Sequence, residues 1–178
     1  MPAPAPYIGR FAPSPTGPLH LGSLATALGS FLDAKVHHGQ WLLRIEDIDE
    51  GRCDTASVEH IVRTLKRHGL QWQGEVWVQS QRHSVYETAL KHLNILNLTY
   101  PCACTRKEID DANSQRALGE NRIYPGTCRH GMPEGREARA IRFRCPTEPI
   151  QWHDHRLGVV NDDLNASSGD FVLKRGDG

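Results

Sequence analysis

The sequence has no excess of charge of either sign: 21 Lys and Arg stand against 21 Asp and Glu, for a formal net charge of zero. Binding of nucleic acid through an overall positive field is therefore excluded, and any RNA contact needs a local basic patch. No apolar run approaches the roughly 20 residues that cross a bilayer, so no transmembrane helix is expected. Residues 1–6 lack both the basic and the apolar region of a signal peptide and read as a short disordered leader. Neither G-x-G-x-x-G nor a Walker A loop occurs, so the common dinucleotide and P-loop fingerprints are missing. Cysteines are few and odd in number, at Cys53, Cys102, Cys104, Cys128 and Cys145. With no export signal, this argues against a disulfide framework and for a cytoplasmic protein. No internal repeat and no low-complexity tract is found.

What remains is ordinary for a globular chain of 178 residues, with 38% hydrophobic and 24% charged residues. That length carries one sizeable core, or one core and a small module. Tyr7 to Phe11 reads as a buried strand, and the Pro-rich stretch from Ala12 to Pro18 as a loop. Leu21, Leu24, Leu28, Leu32 and Val36 recur at helical spacing, with Gly39 as a stop. Trp41 to Ile45 reads as a second strand. Asp54 can cap a second helix with the stripe Val58, Ile61, Val62 and Leu65, closed by Gly69. Val76 to Gln79 is a strand candidate, and Val85, Tyr86, Ala89, Leu90, Leu93 and Leu96 mark a third helix. Residues 7–100 thus read as a doubly wound, Rossmann-like α/β half.

Beyond Pro101 the periodicity weakens and Cys, Arg, Gly and Pro accumulate. Ala140 to Cys145 alternates as a strand with Ile141, Phe143 and Cys145 on one face. Residues 146–169 read as polar loop, and Phe171 to Leu173 as a brief strand. Cys102, Cys104 and Cys128 have the close spacing that suits tetrahedral Zn²⁺, which wants four ligands in a structural site. The fourth can be His130, Cys145 or Tyr124 on the residues alone. Arg106, Lys107, Arg116, Arg122, Arg129, Arg136 and Arg139 crowd the same segment, as a solvated face or an RNA-touching one. Cys53 and Cys145 read as buried and incidental. His37, His38, His60, His68, His83 and His92 read as surface residues, and Trp72 and Trp77 as core.

The run Pro13-Ser14-Pro15-Thr16-Gly17-Pro18-Leu19-His20-Leu21-Gly22-Ser23 joins the first strand to the first helix. Open parallel sheets bind ligands at such a place, and the helix start offers unpaired N–H groups to phosphate. A plainer reading is a Pro-stiffened turn whose His caps the helix. At the end of the second strand, Arg44-Ile45-Glu46-Asp47-Ile48-Asp49 gathers acids, and Glu46 suits an α-ammonium group. Asp47 and Asp49 read as structural, pairing with Arg44 or Arg52.

From Arg10 to Ser23 the chain resembles the His-x-Gly-His motif of class I aminoacyl-tRNA synthetases, read here as His20-Leu21-Gly22-Ser23. Its Arg-Phe-Ala-Pro-Ser-Pro-Thr-Gly lead-in, with Arg44 to Asp49, resembles the glutamyl branch. The Cys-x-Cys and Tyr-x-x-x-Cys pattern is similar to that branch's zinc module. The resemblance implies a Rossmann-like parallel sheet with an inserted zinc-binding α+β module. The insert and an acceptor-type subdomain would fill residues 101–169, and residues 170–178 would begin the return to a second Rossmann half. It implies that Arg10, Phe11, Ala12, Pro13, Ser14 and Glu46 hold glutamate, and that Pro13 to Ser23 hold ATP. His20, Gly22 and Ser23 carry the catalytic part of that motif. Tyr124 joins Cys102, Cys104 and Cys128 around Zn²⁺, and Mg²⁺ accompanies ATP.

The short stretch between Trp72 and Gln79 leans toward the glutamyl-Q type within that branch. A monomeric ligase is implied that activates glutamate with ATP and transfers it to the queuosine base of tRNA(Asp). The alternatives are a truncated glutamyl-tRNA synthetase charging tRNA(Glu), or a non-catalytic zinc-bearing RNA-binding fragment. The family's second motif, Lys-Met-Ser-Lys-Ser, has no counterpart here, and Lys174-Arg175 does not fit it. The 178 residues are therefore expected to be a fragment without efficient adenylation.

Overall fold

The computed structural model describes residues 6–49, 51–117 and 120–176. Of the leader expected over residues 1–6, all but Pro6 lies outside the described residues. Two compact units divide between Tyr86 and Glu87.

The first unit runs β1 (Ile8–Phe11), α1 (Leu21–Val36), β2 (Gln40–Ile45), α2 (Thr55–Arg67) and β3 (Trp77–Val78), followed by a 3₁₀ turn, Gln79–Arg82. The strands form one parallel sheet in the order β1-β2-β3. Phe11 pairs with Leu43, and Arg44 with Trp77. Phe11, Trp41, Leu43 and Ile45 point to one face, where they pack with Ala27 and Ala34 of α1 and Ile61 and Leu65 of α2. Arg10, Leu42, Arg44 and Trp77 share the other face, on which Arg10 and Trp77 are exposed.

Helices α1 and α2 both pack on the face of Phe11, Trp41, Leu43 and Ile45. The physical reason is topological. Right-handed crossovers that step in one direction along the sheet put successive helices on one side. The second layer needs a reversal of strand order.

The face that α1 buries differs from the sequence reading. Of Leu21, Leu24, Leu28, Leu32 and Val36, only Leu24 packs against the core. Leu21 is 83% exposed, and Leu28, Leu32 and Val36 are exposed as well. Ala27 and Ala34 are buried instead, with Phe31 beside them. The helix lies too close to β1 for leucines: a Cβ on Gly9 would meet the Ala34 Cβ at 3.2 Å and the Ser30 carbonyl at 3.3 Å.

Gly39 also acts for another reason than the one read from the sequence. The left-handed residue after α1 is His38, at φ 51°. Any Cβ on Gly39 would sit 2.3 Å from the Tyr7 carbonyl oxygen, because β2 enters the sheet there with Gln40 N–H donating to Tyr7 O at 2.9 Å. The second helix follows its sequence signals. Asp54 accepts from the Ala56 and Ser57 amides, the stripe Val58 to Leu65 packs inward, and Gly69 takes φ 71°. Trp72 packs on the core, whereas Trp77 is half-exposed beneath the Arg82 guanidinium at 4.2 Å. Trp77 therefore does not fill the core expected of it.

Helix α3 (His83–Ile95) crosses the division and buries no residue. The second unit continues with β4 (Thr99–Cys102), α4 (Arg106–Ala112), β5 (Ala140–Phe143), β6 (Ile150–Asp154), β7 (Gly158–Asp162), α5 (Leu164–Ser167) and β8 (Val172–Arg175). An antiparallel sheet is ordered β4-β5-β8, so β8 hydrogen-bonds to β5 and not to the parallel sheet.

Two corrections to the sequence reading fall in this unit. Residues 146–169 contain the β6–β7 hairpin, where loop was expected. Its turn is held by Asp154, which accepts from the Arg156 and Leu157 amides, and by Gly158 at φ 75°. In β5 the expected inward residues Ile141 and Phe143 are only half-buried, while Arg142 is 7% exposed. A cation takes the inward place because Nε and Nη1 of its guanidinium find acceptors inside, as described below. Among the described residues, no helix is long and apolar enough to cross a membrane.

Candidate functional site

Two loops of the first unit are fastened side by side at the carboxyl ends of β1 and β2. Glu46 N–H donates to the Pro13 carbonyl at 3.0 Å, and Asp54 N–H to the Pro15 carbonyl at 3.1 Å. The backbone at Pro13 is thereby joined to Glu46. Arg10 is exposed, one residue before the buried Phe11. The Glu46 carboxylate is not idle: Arg44 donates to it through Nε at 3.1 Å and through Nη2. Asp49 pairs with Arg52 as expected. Asp47 instead accepts from the Ser80 amide at 2.9 Å and the Ser80 hydroxyl at 2.6 Å. Those bonds from Ser80 outweigh the opposing effect of burial and hold the Asp47 carboxyl below its usual range.

His20 caps α1. Its Nδ1 accepts from the Ser23 amide at 3.3 Å, and its Nε2 lies 3.0 Å from the Ser23 hydroxyl. A Cβ on Gly22 would meet the His20 ring at 3.1 Å, so Gly22 lets the imidazole fold over the helix start. The plainer reading of this loop is thus realised, and it is compatible with the chemical one. The ring that caps the helix stands beside the N–H groups that suit a phosphate.

In the second unit, Cys102, Cys104 and Cys128 converge, with their sulfurs within 4.8 Å of one another. Tyr124 Oη is 3.3 Å from Cys102 Sγ and 3.6 Å from Cys104 Sγ, while Cys104 and Cys128 Sγ are 3.7 Å apart. Tetrahedral Zn²⁺, with sulfurs at about 2.3 Å, spaces them about 3.8 Å apart. The donor set therefore fits such an ion by distance and by chemistry. Cys128 N–H donates to Tyr124 Oη at 2.9 Å and orients the phenol. His130 is exposed, and Cys145 turns its thiol to the Gly169 carbonyl at 3.2 Å, so neither belongs to the cluster. Burial raises the Tyr124 phenol pKa, with the Cys102 hydrogen bond adding to it.

Sequence reasoning missed two residues here. Arg142 donates through Nε to Cys102 Sγ at 3.2 Å and lies over the Tyr124 ring at 3.6 Å. Asp170, 3% exposed, accepts from Tyr100 O–H at 2.5 Å, from Cys145 N–H at 2.8 Å and from Arg129. Arg142 had one available signal, a cation at the centre of an apolar strand; Asp170 had none. Next to this centre is a cavity of about 970 Å³ whose wall carries Arg106, Arg136, Arg139, Arg142 and Arg175 against a single acid, Glu137.

Residues 8–178 match the family model of the tRNA synthetases class I (E and Q), catalytic domain, and the chain belongs to that family. Its curated relatives include two proteins named glutamyl-Q tRNA(Asp) synthetase. That of Janthinobacterium sp. is 51% identical over 97% of this chain and 60% of its own length. That of Thiobacillus denitrificans is 50% identical over 98% of this chain and 58% of its own. Among solved structures, the glutamate tRNA ligase of Elizabethkingia meningosepticum in complex with its amino acid matches with a TM-score of 0.76 and 29% identity, over 96% of this chain and 38% of that one. The glutamate-tRNA synthetase of Elizabethkingia anophelis matches with a TM-score of 0.78 at the same identity. The chain thus spans about 60% of the length of the curated relatives it matches.

Proposed function

We propose that this chain carries the glutamate- and ATP-binding part of an ATP-dependent ligase that transfers glutamate to the queuosine base of tRNA(Asp). The observation that carries this is the hydrogen bond that fastens the Pro13 backbone to Glu46, in a chain half identical to glutamyl-Q tRNA(Asp) synthetases. Arg10 holds a glutamate carboxylate with its planar pair of donors. Glu46 holds the α-ammonium, with Arg44 keeping the carboxylate in place. The α-carboxylate oxygen attacks the α-phosphorus of ATP, the bond to pyrophosphate breaks, and glutamyl-adenylate forms. His20, Ser23 and the amides at the start of α1 receive the phosphates, so the protein contributes position and fixed charge. Mg²⁺ with ATP offsets phosphate charge. Zn²⁺ held by Cys102, Cys104, Tyr124 and Cys128 supplies structure.

Glutamate-dependent ATP–pyrophosphate exchange without tRNA tests the reading, in a form extended to the relatives' full length. Exchange is expected, followed by glutamate transfer to queuosine-containing tRNA(Asp). Transfer only to tRNA(Glu) would favour the activity named for the Elizabethkingia proteins, and no exchange would leave an RNA-binding module. In the same form, Arg10→Ala should lower kcat/KM for glutamate by at least about tenfold, because losing one partner of a desolvated charge pair costs about 2–5 kcal/mol. Unchanged kinetics would remove Arg10 from the site.

The arginine-lined cavity of the second unit supports contact with the RNA backbone, since the chain's charge is otherwise balanced. Arg106→Ala and Arg139→Ala are expected to weaken tRNA binding regardless of sequence. Each should reduce the slope of log affinity against log salt by about one. Salt titrations that give the unmodified slope would exclude this wall.

A further inference from the structure

Arg142 is the most buried cation of the second unit, and its surroundings are unusual for one. Among the described residues no carboxylate forms an ion pair with it. Its partners are the Cys102 sulfur at 3.2 Å, the Asp170 carbonyl at 2.7 Å and the face of Tyr124 at 3.6 Å. Burying a guanidinium without an anion is unfavourable. The Asp170 carboxylate is already taken by Arg129, Tyr100 and the Cys145 amide. The negative charge that Arg142 faces must therefore come from the cysteine cluster. Three thiolates around a dication leave one net negative charge, which one guanidinium cancels. Only a planar group with donors on its edge can bond a sulfur and lie flat on a neighbouring ring at once; an ammonium cannot do both.

We propose that Arg142 is a positioning residue of the metal centre. It fixes the Cys102 sulfur and the Tyr124 ring in the arrangement that receives Zn²⁺ and balances the thiolate charge, so that retention of the ion depends on it. The proposal rests on the zinc reading above, and the measurements separate the two. Outer partners of metal ligands alter affinity by about 10–100-fold.

The test uses the whole chain in three forms: unaltered, Arg142→Lys and Arg144→Lys. Arg144 is the control, because it lies on the same segment and stacks on Tyr100 at 4.7 Å without touching a ligand. Elemental analysis should find one zinc per unaltered chain. Zinc transfer to a chromogenic chelator should be at least about tenfold faster from Arg142→Lys and unchanged in Arg144→Lys. With Co²⁺ in place of zinc, the sulfur-to-metal charge-transfer band should shift only in Arg142→Lys, because one N–H···S bond is lost. Equal transfer rates in all three, or equal loss in both variants, would overturn the role of Arg142 while leaving the zinc site standing. Absence of zinc from the unaltered chain would overturn both.

Discussion

Removal of the metal by a chelator, or Cys104→Ala, is expected to unfold the second unit and leave the first one folded. The buried cluster of this unit is Tyr100, Cys102, Ala103, Tyr124 and Cys128. Three of those five are proposed ligands, so the apolar core and the metal site are largely the same atoms. Helices α3, α4 and α5 bury nothing that could substitute. Structural zinc contributes on the order of 10 kcal/mol to small modules, comparable with the whole stability of a typical domain, about 5–15 kcal/mol. The first unit has an independent core built on Trp41, Leu43, Ile45, Ile61 and Leu65. Amide hydrogen exchange with and without chelator distinguishes the two. Protection should vanish from β4, β5 and β8 and persist in β1 and β2. Protected β4–β5 amides in metal-free protein would show that the cluster is not what holds the unit together.

The first unit was legible wherever local signals agreed with tertiary packing. Asp54, the stripe Val58 to Leu65, and Gly69 specify α2 by capping, period and left-handed closure, and all three recur in the structure. In α1 two apolar stripes compete on one helix. Counting leucines selects the larger residues, but the distance to Gly9 selects Ala27 and Ala34. That distance is a property of the sheet and is not written in the helix. The β6–β7 hairpin was hidden for a different reason: its strands bury almost nothing, and the only apolar residues that alternate with polar ones in β6 are Ile150 and Trp152, too short a run among polar neighbours to stand out. Asp154 and Gly158 were the available turn signal.

The candidate sites divide in the same way. Cys102, Cys104 and Cys128 are close enough in sequence that ligand spacing alone brings them together, and Tyr124 came through resemblance to the glutamyl branch. The proximity of Pro13 to Glu46 follows from parallel pairing of β1 with β2, which the strand–helix–strand pattern implies. The roles of Arg142 and Asp170 were not legible, although Arg142 stood out as a cation in an apolar strand, because their partners are supplied from distant segments. A sequence shows a buried charge only as a charge.

Asp170→Ala is expected to be among the most destabilising single substitutions in the second unit. Its Oδ2 accepts from Tyr100 of β4, its Oδ1 from the Cys145 amide and from Arg129, and its carbonyl from Arg142. One carboxylate thus joins the strand that carries Cys102, the segment after β5, and the residue next to Cys128. Deleting one partner of a buried ion pair costs about 3–5 kcal/mol, mostly because the remaining groups stay desolvated. Asp170→Asn should cost less, since an amide oxygen can still accept at the Oδ1 position. Burial alone would raise the Asp170 pKa, but the bonds from Tyr100, the Cys145 amide and Arg129 lower it below its usual value. A carboxylate with a depressed folded pKa contributes stability that is complete above its unfolded pKa, about 3.9. That stability is lost as pH falls through the folded value. Urea titrations of the metal-loaded protein at neutral and acid pH, read on the second unit, should therefore show acid weakening that Asp170→Asn reduces. If Asp170→Ala unfolds within about 1 kcal/mol of the unaltered chain, an ordinary surface-like effect, the carboxylate does not hold these segments together.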